Sequence, residues 1–560
     1  MTKLAYIRLN RRTQATLEDG SFWQYGYDDR DEVTSAKRNW SYFSTTTPVS
    51  GQQFGYAYDN IGNRLTAAFG GDTNGANLRT VSYVANSLNQ YTNIVTPGTK
   101  EIIGAALATN GVTVNGGTAD RHGEYFHREI SVANTNQPVW QNVTTVAGTF
   151  TNQGGSVFPA YGQTLVYDAD GNLSFDGIWN YQWDGENRLI SMNMTNVTSL
   201  AATNRLRLDF AYDYQGRRVE KRVSHWNSGS WILDSDSLFI YDGWNLLAVV
   251  NPQSAVFQSF MWGKDLSGTL ARAGGVGGLL MANTSGTNCF ATYDGNGNIT
   301  ALINTTDKSL AARYEYSPYG ELLRATGLLA HRTPFRFSTK YWDDESGLIY
   351  FGYRYYNAAL GRWISKDTSG EKNGANLYTL LYNCPVMHFD TLGNEEYFVD
   401  YNGVRNIETI IKSSLNAAFL VPGVAGKAIA YSLMYNWFGG DLPGSAGTYD
   451  FSAETNPMHS YTFDVGLAKP VSDAEAGNFI AGFAGGYASF ASGGDPSFAG
   501  GIFAAGFCYG VGDIGIQVYT ASHRGAGLVA GLKGYVSSIT MQYDGYVEGA
   551  SDAIDGWIGY

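Results

Sequence analysis

Polar and apolar positions alternate along much of the first two thirds of this chain, and the alternation breaks at a recurring place. "YAYDNIGNRLTAAF" begins at Tyr56, "LVYDADGNLSF" at Leu165, "YQWDGENRLISM" at Tyr181, "FAYDYQGRRVEKRV" at Phe210, "FIYDGWNLLAVV" at Phe239 and "ATYDGNGNITALI" at Ala291. Looser copies start at Tyr25, Tyr83 and Tyr314. In each, aromatic or apolar residues two apart share one face of an extended strand. The Asp that follows can accept from backbone amides two residues on, and the Gly and Asn beyond it tolerate positive φ. Alternation then resumes, so the unit is strand, turn, strand: a β-hairpin. Trp183, Tyr212 and Tyr241 are 29 residues apart, whereas Tyr293 follows after 52, so units carry insertions such as the glycine-rich "ARAGGVGGLL" at 271–280. Hairpins repeated in this way stack into a long sheet in which each unit covers its neighbour's edge.

After residue 394 the pattern changes. Ile407, Ile410, Ile411, Leu415 and Ala418 have helical spacing, ended by Pro422-Gly423, and a second helical run stops at Gly439-Gly440. Residues 477–494 and 497–512 carry no charge, with small-residue pairs at Gly482/Gly486 and Gly506/Gly510. Two readings stand. These are closely packed glycine-rich helices inside a soluble domain, or a hairpin that inserts into a membrane, since eighteen helical residues span about 27 Å against a bilayer core of about 30 Å. The expected architecture is mainly β, followed by a smaller, mainly α or α+β domain.

Composition narrows the function. The 560 residues carry 37 Lys+Arg against 50 Asp+Glu, a formal charge of −13, which argues against the body of the chain gripping a phosphate backbone and hence against DNA binding by the β region. Cys289, Cys384 and Cys508 are too few and too far apart for a disulfide framework or zinc cluster, and no cofactor or metal is expected. The first twenty residues lack the apolar run of a secretory signal, so export, if it occurs, needs another route. Aromatics at 14% and 69 glycines fit strands and tight turns.

The repeat resembles the YD repeat of Rhs and teneurin proteins. "PFRFSTKYWDDESGLIYFGYRYYNAALGRWISKD", Pro334 to Asp367, is similar to the Rhs repeat-associated core, and Asn376 to Asn394 resembles its end. The resemblance implies three parts: a spiralling β-hairpin shell over 1–333, incomplete or complete, the core over 334–394, and a variable effector-like domain over 395–560. It implies a toxin-delivery protein acting in competition between bacteria. Such a protein is cytoplasmic before export, then secreted or on the cell surface, with an immunity protein and a secretion-system component as partners. A structural or adhesive surface protein is the alternative.

Two Asp-Thr-x-Gly turns, at Asp367 and Asp390, lie 23 residues apart at the composition boundary. Two carboxylates brought together cannot both ionise easily; one activates water while the other, protonated, polarises a carbonyl. The resemblance implies that this pair cuts the chain between Asn394 and Glu395. Thr368, Thr391, Glu371 and Asn394 depart from the family's Pro and Leu, so the turns are less pre-set in φ. Arg362, in "GRWISKD", is the candidate to orient or depress one carboxylate. Cys384 near His388 has the look of a nucleophile and base but reads as packing. In the C-terminal domain, His459 and His523 beside Arg524 suit acid–base chemistry on RNA, with Asp464, Asp473 and Glu475 as further candidates. The membrane hairpin is the competing reading, and Cys508 within it reads as a small core residue.

Overall fold

The computed structural model describes residues 3–405, except for 8–10, 43–44, 195–196, 198, 253–256, 395 and 401–402. The expected helices at 406–440, the uncharged stretches at 477–512, and the candidates His459, His523, Arg524, Asp464, Asp473, Glu475 and Cys508 lie outside the described residues. The chain divides into two compact units at Val399/Asp400, five residues beyond the boundary expected from composition.

The first unit is built of antiparallel sheets. A nine-stranded sheet runs in sequence order from Lys3–Ile7 to Tyr91–Val95 and ends on Gly162–Thr164. A fourteen-stranded sheet runs from Val166–Tyr167 to Leu322–Thr326, every strand beside its neighbour in sequence. Between them, residues 99–158 form a three-stranded and a four-stranded sheet. Among the described residues there is no α-helix, only short 3-10 turns. No described helix is long and apolar enough to cross a membrane.

The repeat has a definite local structure. Asp59 Oδ1 accepts from the amides of Ile61 (3.0 Å) and Asn63 (2.8 Å), Asn63 Nδ2 donates to Asp59 Oδ2 (2.9 Å), and Gly62 sits at φ +82°. Asp168, Asp184, Asp213 and Asp294 repeat the bond to the amide four residues on. The looser copy at Tyr25 keeps it with Asp28, and the other two keep it by substitution: Asn86 Oδ1 accepts from Gln90 N and Ser317 Oγ from Glu321 N, each at 3.0 Å. The unit at Phe239 differs, since Asp242 pairs directly with Asn245 across a two-residue turn.

Sequence periodicity leaves open why an aromatic precedes each Asp. Strand register shifts at that residue, at Tyr27, Tyr58, Tyr167, Trp183, Tyr212, Tyr241, Tyr293 and Tyr316. A bulge there bends and twists the strand. It also aims the polar tip of the ring backwards. Tyr212 Oη donates to Leu189 O (2.7 Å), Tyr241 Oη to Arg218 O (2.9 Å), Tyr316 Oη to Ile299 O (2.7 Å), Tyr58 Oη to Val33 O (2.8 Å) and Trp183 Nε1 to Leu173 O (2.8 Å). Each acceptor is the residue just after the turn of the preceding unit. The aromatic thus buries its ring and satisfies its polar tip on its neighbour.

Residues 334–394 cross both large sheets at their turns. Four short strands, Tyr341–Trp342, Leu348–Tyr350, Tyr355–Asn357 and Arg362–Trp363, pair in order around buried Phe337, Ile349, Tyr356 and Trp363. Asn376 Nδ2 donates to Asn63 Oδ1 (2.9 Å), Asn383 Nδ2 to Glu32 Oε1 and Gly62 O (both 2.8 Å), and Tyr378 Oη to Gly171 O (2.7 Å). Buried Arg218, from the fourteen-stranded sheet, pairs with buried Asp343 at 2.7 Å and lies against the rings of Tyr341 and Tyr350.

Candidate functional site

The stretch "FGYRYYN" places one cation, Arg354, among aromatics of which Phe351, Tyr355 and Tyr356 are buried. A guanidinium taken out of water needs acceptors and a counter-charge. Arg354 finds both. Its Cζ lies 4.1 Å from the centre of the Trp363 ring, and its Nη2 is 2.8 Å from Asp367 Oδ2 and 3.7 Å from Asp390 Oδ2. The two Asp-Thr-x-Gly turns are therefore brought together, with one guanidinium nitrogen facing both carboxylates. Beside them is a cavity of about 10 Å³, lined by Arg354, Trp363, Asp367, Asn376 and Asp390, near the lower limit for one water.

Arg362, the cation expected from sequence, is elsewhere. Its Nη2 donates to Asn89 O (2.7 Å) and its guanidinium sits between the rings of Tyr91 and Tyr378, 3.8 and 5.0 Å from their centroids. Their places in the core explain the difference. Arg362 is paired opposite Asn357 on a strand that meets the nine-stranded sheet's turn, while Arg354 is in the bend before Tyr355–Asn357 that faces Asp367.

Each Asp first makes its own turn. Asp367 Oδ1 accepts from Ser369 N at 2.7 Å. Asp390 Oδ1 accepts from the amides of Leu392 (3.1 Å), Gly393 (2.6 Å) and Asn394 (3.2 Å). These bonds hold the turns without the missing prolines. Asp390 is 2% exposed, and burial lifts its carboxyl to about 6 against the opposing pull of Arg354, the Gly393 amide and Lys340. Burial also lowers Lys340 to about 8, with Asp390 and Asp265 pulling it back up. The two carboxyls thus sit in different settings, the usual basis for an acid and a base in one pair.

The chain after Asp390 is held one carbonyl at a time. Thr391 O accepts from Lys340 Nζ, Leu392 O from Tyr353 N at 2.9 Å, Gly393 O from Arg354 Nε and Asn394 O from Ser369 Oγ at 3.0 Å. The glycine-rich insertion is part of this support. Gly274 O accepts from Lys340 Nζ at 2.7 Å, and a Cβ on Gly274, which has φ +58°, would lie 2.2 Å from Thr391 O. Beyond Asn394 the strand Glu396–Asp400 pairs back along His388–Asp390, so Asn394 lies in the bend of a hairpin; Glu395 is outside the described residues.

The other candidates are placed differently. Cys384 is a buried thiol packed with Val33, Val386 and Met387. Burial lowers His388 to about 4, leaving it neutral near pH 7. No cluster of His, Cys, Asp and Glu able to hold a metal occurs among the described residues. Arg354, Lys340 and Ser369 were the residues missed; the signal for Arg354 was a lone cation among aromatics.

Residues 150–386 match the family model of the teneurin YD-shell. The chain is 27% identical over 242 residues to the tRNA3(Ser)-specific nuclease WapA of Bacillus spizizenii, covering 42% of this chain and 9% of that protein. It is 28% identical over 243 residues to the Double-stranded DNA deaminase toxin A of Burkholderia cenocepacia, covering 40% of this chain and 16% of that one. The crystal structure of TcdB2-TccC3-Cdc42 aligns with 70% of this chain and 19% of that chain, at a TM-score of 0.35 and 17% identity. The matched stretches thus amount to less than a fifth of each of these relatives. With its bulged aromatic, Asp-centred turn and back-bonded ring repeated from unit to unit, the described chain has the features of a YD-shell, and its matched stretch is similar to the shells of the Rhs and teneurin kind.

Proposed function

We propose that this is a toxin-delivery protein whose β-shell carries the segment after residue 394 as cargo, and that the shell cuts the chain between Asn394 and Glu395. The observation that carries the cut is the pairing of Asp367 and Asp390 on one guanidinium, next to a run of four carbonyls each held by a named donor. A peptide held in place by its own chain reacts at high effective concentration.

In this reading Asp367, paired with Arg354, takes a proton from water as the water oxygen attacks the Asn394 carbonyl carbon. Asp390, whose burial favours the protonated form, gives its proton to the departing Glu395 nitrogen. The products are an Asn394 carboxylic acid, which keeps the second water proton, and a Glu395 amine, with one proton moved from Asp390 to the chain and one from water to Asp367. Toxin names among the relatives support cargo delivery, and an immunity protein and an export machine would follow from it.

Intact mass under denaturing conditions tests the cut. The wild-type chain should give two fragments meeting at Asn394/Glu395, and Asp367→Asn and Asp390→Asn should each give one species of 60.9 kDa. An uncut wild-type chain, or cutting that survives both substitutions, would reject an aspartyl pair. Killing on cytoplasmic expression of 395–560 alone tests the cargo; an inert fragment would favour an adhesive role.

A further inference from the structure

The aspartyl pair accounts for a base and an acid but leaves the carbonyl oxygen to be stabilised. In hydrolysis this oxygen becomes an oxyanion, and a donor already 2.7–3.1 Å away is worth most there. One such donor is in place: Ser369 Oγ, 3.0 Å from Asn394 O. We propose that Ser369 is a catalytic residue of this chain, the hydroxyl donor to the oxyanion formed at Asn394. This deepens the self-cleavage reading and rests on it.

Two features separate this bond from the three before it. Thr391 O, Leu392 O and Gly393 O are held by an ammonium, a backbone amide and a guanidinium, groups fixed by charge or by the main chain. Asn394 O alone is held by a hydroxyl, which can rotate to follow the oxygen as the carbon becomes tetrahedral. Ser369 is also coupled to the base, since its own amide donates to Asp367 Oδ1 at 2.7 Å. One turn therefore sets the positions of the water-activating carboxylate and of the oxyanion donor.

The step balances. Water adds its oxygen to the carbonyl carbon and its proton to Asp367. The C=O π pair moves onto oxygen, where the Ser369 hydroxyl donates to it without transferring its proton. The pair then returns as the bond from carbon to the Glu395 nitrogen breaks, and that nitrogen takes the Asp390 proton. Ser369 is unchanged at the end and forms no acyl intermediate.

The test follows full-length chain synthesised in a cell-free system, by mass, for wild type, Ser369→Thr, Ser369→Val and Ser369→Ala. Ser369→Val, which matches Thr in shape but has no hydroxyl, should slow cleavage about 100-fold. Ser369→Thr should stay within a few-fold of wild type. The pH–rate profile of the slow variants should keep its shape, because the hydroxyl does not titrate there. Cleavage of Ser369→Val at the wild-type rate, or a Thr variant as slow as Val, overturns the proposal. If wild type is not cut at all, the cleavage reading fails and this one with it. The contact itself is then read separately: added glutamyl endopeptidase should cut after Glu395 or Glu396 several-fold faster in Ser369→Val, and equal rates would remove the contact as well.

Discussion

Replacing Arg354 with Met removes the one cation shared by Asp367 and Asp390 while keeping an apolar chain against Trp363. Arg354 is 3% exposed in its side chain and the two carboxylates 7% and 2%, so solvent screens little of the interaction. Losing one partner of a buried ion pair costs about 3–5 kcal/mol. In a unit of about 400 residues that is a fall in Tm on the order of 4–6 °C. The loss should depend on pH. Asp390 already titrates near 6 in the fold, raised by burial from 3.8, and Arg354 is the strongest group holding it down. Without Arg354 its folded value rises further. A carboxyl raised in the fold contributes its stability below the unfolded value and loses it as pH rises through the folded one. The variant's deficit should therefore be smaller at pH 5, where the Asp367 ion pair, the Gly393 carbonyl bond and the ring contact are lost but Asp390 is protonated, and largest at pH 8. Thermal unfolding of both proteins at the two pH values measures it, with mass spectrometry confirming that self-cleavage stops. Equal deficits at pH 5 and 8 would refute the idea that Arg354 compensates the buried charge of Asp390.

Three further expectations follow from other parts of the fold. Glu315 is held at about 2, because Arg38 and Arg324 outweigh its burial. Glu315→Gln should cost about 3 kcal/mol at pH 7 and little as pH falls through 2, by urea unfolding, since a depressed carboxyl stabilises above its unfolded value and ceases to in acid. Gly274→Ala puts a methyl 2.2 Å from Thr391 O and should slow self-cleavage sharply, whereas Gly268→Ala, with open space and φ +75°, should cost only about 1 kcal/mol of stability and leave the cleavage rate alone. Tyr212→Phe removes the hydroxyl that donates to Leu189 O and meets Tyr355 Oη at 2.9 Å, and should destabilise by about 1–2 kcal/mol in thermal unfolding; no change would deny the backward bond its role between units.

The hairpin repeat was legible because its cause is local. The Asp that makes the turn and the amide it accepts from lie four residues apart, within one quoted unit. What the aromatic before Asp does was not legible. Its acceptor lies on the preceding unit, 25 residues back for Tyr58 and 23 for Tyr212, and only the bulge shows which way the ring points. The aspartate pair could be named from its spacing, but its cation could not. Arg354 and Arg362 both stand in aromatic stretches, and the choice between them depends on which partners the bend before Tyr355–Asn357 and the strand Arg362–Trp363 each meet in the folded chain. Ser369 gave no sign at all, since a serine in a turn is ordinary until the carbonyl it meets is known.

The route by which the core segment is anchored sets the order of events in time. Each strand of the fourteen-stranded sheet pairs with the strand made just before it, so that sheet can zip up behind the ribosome through short loop closures. The segment at 362–383 cannot. Arg362 waits for Asn89, Asn376 for Asn63, Tyr378 for Gly171 and Asn383 for Glu32, all far earlier in the chain. Asp367 lies within that segment, its amide donating to Leu377 O. The pair of aspartates is therefore assembled only when early and late repeats already stand in their final places. On the proposed chemistry, the cut is a checkpoint: a chain with a damaged early repeat keeps its cargo covalently attached.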